Sequence, residues 1–126
     1  MINLKKISNE VFYFKKNISF INRKHINFLK KKVSLSNKKR VRICLHKENS
    51  KLHEMIIVLS KDTYIRPHKH INKPESLHVI EGNADVIFFN DLGKVLKKVE
   101  FVSFWAVGER RQVMFLFYHP KRNLCV

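Results

Sequence analysis

Residues 62–82 read DTYIRPHKHINKPESLHVIEG, and the fold turns on how this stretch is understood. In an extended chain successive side chains alternate between two faces, so His68 and His70 project the same way. Pro74 stiffens the turn that returns the chain, and Glu75 then swings in beside the two imidazoles. Two histidines and one carboxylate form half of a divalent-metal shell, and Fe, Mn, Ni, Zn and Cu all accept such donors. The same alternation sorts the neighbours. Tyr64 and Arg66 share the face of the histidines and are expected to line the same cavity, whereas Leu77 and Val79 share the face of Glu75 as its apolar wall. His78 falls on the opposite face and is excluded as a ligand. Arg66 offers a planar fork to an anionic group, and Tyr64 a phenol able to act as acid, base or hydrogen-bond donor.

On either side of this stretch the chain is punctuated into short extended runs. Val41–His46, Met55–Leu59, Thr63–His68, Ser76–Ile80, Ala84–Phe89, Lys94–Phe101 and Gln112–Tyr118 are rich in β-branched and aromatic residues and are separated by turn formers. Asn90, Asp91, Leu92 and Gly93 supply the backbone freedom of a tight hairpin. Ala84, Val86 and Phe88 then share one face, with Asp85, Ile87 and Phe89 on the other. Upstream, Ile26, Leu29 and Val33 recur at helical spacing behind Asn22, a competent N-cap, which predicts a helix over 22–33. Residues 1–20 permit one or two short strands with a turn near Ser8 and Asn9. The polar run Ser34–Arg40 reads as a solvated basic loop. The expectation is one structural domain, with a strand and helix extension over 1–40 and an all-β barrel over 41–126.

A length of 126 residues suits a single domain, and a hydrophobic content of 44% with ten Phe argues for a packed core. The net charge of +16 invites a polyanion partner. The excess is mostly scattered Lys, however, and the basic positions of residues 22–42 lack interleaved aromatics, so a solvated surface is expected and nucleic acid is not. Two cysteines, Cys44 and Cys125, are too few for a disulfide framework and are expected as thiols. No run approaches the ~20 apolar residues of a membrane helix, and the N-terminus has no signal-peptide core, so cytoplasmic residence is the expectation.

The spacing from His68 to Gly82, H-x-H-x4-E-x6-G, matches the first motif of the cupins. More closely, RVRICLH, ENSKLHEMIIVL, YIRPHKH, PESLHVIEG and VIFFNDLGKV resemble the WbuC family of small cupin-fold metalloproteins, which are often associated with surface-polysaccharide (O-antigen) gene clusters. The resemblance covers roughly Phe20 to Val99. It implies a jelly-roll β-barrel behind a short helix, with one divalent metal at its mouth held by His68, His70 and Glu75. It implies no defined reaction; a small sugar-like ligand is the expectation that the gene-cluster association suggests. Homodimers are common among cupins and are expected here.

Two departures stand out. Asp62 occupies the position of the Gly that usually opens the first motif, and the second motif, with its fourth ligand histidine, is absent from FVSFWAVGERRQVMFLFYHPKRNLCV. A hypothesis for the loss is a shifted reading frame near His119-Pro120 that truncates the tail. His119 is the remaining candidate for a fourth ligand. No dedicated catalytic base stands out, so two readings are carried forward. One is a metal-dependent protein acting on or binding a sugar or nucleotide-sugar intermediate of polysaccharide synthesis; the alternative is a non-catalytic, degenerate cupin that binds a small ligand or a polyanion.

Overall fold

The computed structural model describes residues 2–16, 20–61, 63–68, 75–103 and, as backbone, 111–118. Its elements are β1 (Leu4–Lys6), β2 (Val11–Phe14), α1 (Arg23–Leu35), β3 (Arg40–Cys44), β4 (His53–Ser60), β5 (Glu75–Glu81), β6 (Asn83–Phe89), β7 (Val95–Val102) and β8 (Arg111–Tyr118). The fold is all-β with one short helix. Six strands form one sheet in the order β1-β2-β3-β4-β8-β5, and β6 pairs with β7 in a second. The pairings are antiparallel except that of β2 with β3, between which α1 makes the crossover a parallel pair requires. The strands of the N-terminal extension thus belong to the same sheet as β3 and β4.

The helix forms where its cap and stripe predict. Asn22 Oδ1 accepts the N–H groups of Lys24 at 3.0 Å and His25 at 3.4 Å, satisfying donors that a helix start leaves open. Ile26, Leu29 and Val33 then bury against Val41, Ile43, Ile56 and Val58, the alternate residues of β3 and β4. Phe12 and Phe28 close the edge of this core edge-to-face at 5.1 Å. Leu29, Ile43 and Ile56 are fully buried, each contributing roughly 1.5–3 kcal/mol.

The opposite face of the large sheet looks toward the β6–β7 hairpin. Leu59 and Ala84 meet there, with Ile57, Leu77, Val79 and Phe101 around them. The hairpin closes as its sequence requires: Gly93 adopts φ +78°, and Asn90 Oδ1 accepts the N–H groups of Leu92 and Lys94 at 3.0 and 2.8 Å. Ala84 and Val86 are buried while Asp85 and Ile87 are exposed, the alternation expected. In β5 a register shift between Val79 and Glu81 breaks the alternation. Glu75 and Leu77 pair across β8 into the rows of His53 and Met55, but Glu81 pairs with Val113, in the row of the helix-facing Val58. One bulge thereby moves Glu81 to the helix side, where it meets Arg23 at 2.8 Å and Lys30 at 2.5 Å.

One expected strand is corrected. Thr63–His68 has no regular secondary structure and lies exposed from Tyr64 onward. Pro67 has no N–H to give a ladder, which disfavours a paired strand over this run. The common face assigned to Tyr64, Arg66, His68 and His70 by strand alternation therefore loses its basis.

Candidate functional site

Between the large sheet and the β6–β7 hairpin lies a cavity of about 1000 Å3, at the upper end of the range for small-molecule sites. Met55, Ile57, Leu59 and Leu77 line it from the large sheet, and Ala84, Val86 and Phe101 from the hairpin. Polar groups gather around this apolar lining: Glu75 from β5, Tyr64 and His68 from the irregular segment, and Arg40 and Arg42 from β3.

The cavity brings together three of the residues singled out in the sequence. Glu75 is buried, with only 8% of its surface exposed, on the face it shares with Leu77 and Val79. His78 is exposed on the other face, as alternation requires. The His68 Nδ1–H donates to the Arg66 carbonyl at 2.8 Å, since a carbonyl can only accept. In the neutral ring that bond leaves the lone pair on Nε2, the arrangement that metal-ligating histidines commonly show. Arg66 is exposed and is not among the cavity-lining residues; what it offers His68 is its backbone. His70 and His119 lie outside the described residues, as do Asp62, Pro74 and Cys125. A buried carboxylate and an imidazole of fixed tautomer suit a divalent cation, so the donors present fit the implied metal. Among the described residues no group of three or more His, Cys, Asp or Glu side chains is placed to hold one.

The irregular segment is fastened at its start. The Lys39 carbonyl accepts the Ser60 N–H at 2.9 Å and also the Thr63 hydroxyl. Lys39 itself sits in the left-handed region at φ +54°, which turns the chain into β3. The segment bearing Tyr64 and His68 therefore hangs from the same turn that launches Arg40.

For Lys38, Lys39, Arg40 and Arg42 the sequence favours a solvated connection over a phosphate clamp. Lys38, Arg40 and Arg42 are exposed, as a solvated connection would be, and all three also line the cavity, joined by Lys61. Arg40 and Arg42 are two residues apart on β3 and share its exposed face, opposite the buried Val41 and Ile43. The signal was available as an R-x-R alternation leading into an apolar strand. Below them Cys44 is a buried free thiol whose pKa is pushed up by burial, against the opposing influence of Arg42 and Tyr13, so it behaves as a core residue.

Residues 21–101, from the start of the helix region to the penultimate residue of β7, match the family model described as Domain of unknown function (DUF6016), and the chain belongs to that family. No curated protein and no solved structure matches the chain. Among the described residues no helix is long and apolar enough to cross a membrane.

Proposed function

We propose that this chain is a divalent-metal-binding protein of the cupin kind, resembling the WbuC family, that holds a small sugar-like molecule in the cavity between its sheets. The observation that carries the reading is the convergence of a buried Glu75 and a tautomer-fixed His68 on one largely apolar cavity. His68, His70 and Glu75 would be the ligands. A bound metal would supply Lewis acidity and a fixed positive charge at the cavity mouth. The chain's own contributions are the carboxylate in a site sheltered from water and the Arg66 carbonyl that sets the His68 tautomer. The Tyr64 phenol at the rim offers a hydrogen bond to a sugar hydroxyl. Surface-polysaccharide metabolism is the setting that the resemblance suggests.

Metal analysis of protein purified without a polyhistidine tag tests this directly. The wild-type chain is expected to carry close to one equivalent of a single divalent metal, and His68→Ala, His70→Ala and Glu75→Ala to lose most of it. Equal metal in all four proteins would sink the reading. Cytoplasmic residence and pairing of two copies belong to the same proposal. The exposed Val95, Leu96 and Val102 of β7 support the pairing, which light scattering measures.

A further inference from the structure

We infer that the ligand of this cavity carries an anionic group, a phosphate monoester or a carboxylate, and that Arg40 and Arg42 hold it. The inference rests on the cavity being a ligand site and adds the chemical class of what enters it. Arg40 and Arg42 project from the same face of β3, and strand geometry separates their Cα atoms by roughly 6.5–7 Å. Two arginines at alternate positions of one strand face set two positive charges along the same wall of the cavity, which an anion placed between them would offset. Among the described residues neither forms an ion pair with a carboxylate.

Four acids also line the cavity: Glu10, Glu75, Asp85 and Glu100. Asp85 and Glu100, on the hairpin wall, share Lys98 at 2.9 and 3.5 Å. Glu10 accepts a hydrogen bond from the Ser8 hydroxyl at 3.2 Å. With Arg40, Arg42, Lys38 and Lys61 against Glu10, the β3 side of the cavity is net positive, while the hairpin side carries its own cation for its own acids. Arginine forks match the oxygens of phosphate and carboxylate two at a time, which a scattered lysine surface does not. Apolar Met55, Ile57 and Leu59 line the same cavity and offer surface to an uncharged ligand body. A phosphorylated sugar or a sugar acid has that division of character.

Isothermal titration calorimetry at low salt with glucose 1-phosphate, glucuronate and glucose tests the assignment. At least one charged probe should bind and glucose should bind far more weakly; the tighter of the two charged probes identifies the anionic group. Arg40→Ala/Arg42→Ala should raise its Kd roughly 10- to 100-fold, the range for losing charged hydrogen bonds. Arg40→Lys/Arg42→Lys, which keeps the charge and loses the forks, should fall between. Lys5→Ala/Lys24→Ala removes the same charge from exposed positions outside the cavity and should leave the Kd unchanged.

Glucose binding as tightly as the charged probes, an unaffected double-alanine variant, an equal loss in the lysine control, or no binding of any probe would each overturn the inference. Metal content measured on the same samples separates the two readings. Arginine-dependent binding by a metal-free protein would leave this inference standing and remove the metal; a metal-loaded protein that ignores both charged probes would do the reverse.

Discussion

The two faces of the six-stranded sheet are built from the same strands and have opposite characters. On the helix face Val41 and Ile43 of β3 and Ile56 and Val58 of β4 are aliphatic and fully covered, and the acid that arrives there, Glu81, is met by Arg23 and Lys30. On the cavity face the apolar rows continue through Met55, Ile57 and Leu77, but Arg40, Arg42 and Glu75 interrupt them, and the hairpin covers them only in part. The first face holds the molecule together. The second gives up some of that burial to expose charge in a concave, apolar setting, as a binding site requires.

This contrast breaks most readily at Leu29, which has no exposed surface. Leu29→Ala should cost about 2–5 kcal/mol in chemical denaturation, while Arg42→Ala on the other face should stay within about 0.5 kcal/mol. Comparable losses at both positions would show that the cavity face also carries the fold. A smaller effect is expected at Glu81. Glu81→Ala leaves the Lys30 ammonium, whose side chain is only 12% exposed, beside the vacated position and should cost about 1–3 kcal/mol. Asp85→Ala breaks a bridge whose side chains are about half exposed and should cost less than Glu81→Ala in the same denaturation measurement.

The smallest effect is one of pH. Burial lowers the pKa of His25 and, as the leading cause, that of His46, so the folded state favours their neutral rings. The unfolded chain then binds more protons below the ordinary histidine value of 6.5, and stability present above that pH is lost as pH falls through it. His25 also completes the helix cap, its Nδ1 accepting the Asn22 N–H at 3.3 Å. His25→Gln keeps an acceptor at that position and should flatten the decline of the urea midpoint between pH 7.5 and 5.5. An unchanged slope would assign the dependence elsewhere.

Much of this was legible from periodicity. The 3.6-residue stripe behind Asn22, the hairpin over Asn90–Gly93 and the alternation that buries Glu75 and exposes His78 follow from local chemistry, and the structure bears them out. What alternation cannot supply is which strands become neighbours. The parallel pairing of β2 with β3, and the insertion of β8 between β4 and β5, depend on contacts between distant segments. Alternation also assumes an unbroken ladder. It misplaced Thr63–His68 because Pro67 cannot donate, and it would put Glu81 on the same face as Glu75 had the bulge after Val79 not switched the faces. For Arg40 and Arg42 the choice between a solvated connection and a phosphate clamp could not be made from sequence for another reason: a basic run looks solvated until the strand it enters is seen to form one wall of a cavity.

The anchoring of the segment that bears His68 has a consequence for mutational tolerance. Its acceptor is a main-chain carbonyl, which every amino acid provides, so position 39 can drift among residues that tolerate its left-handed turn, glycine and asparagine most easily. Its donor is the hydroxyl of Thr63, which only another hydroxyl-bearing residue of similar reach can replace. Wherever this attachment is kept, substitution should be lax at one end and strict at the other, and chain length between the turn and β3 should vary less than the side chains it carries.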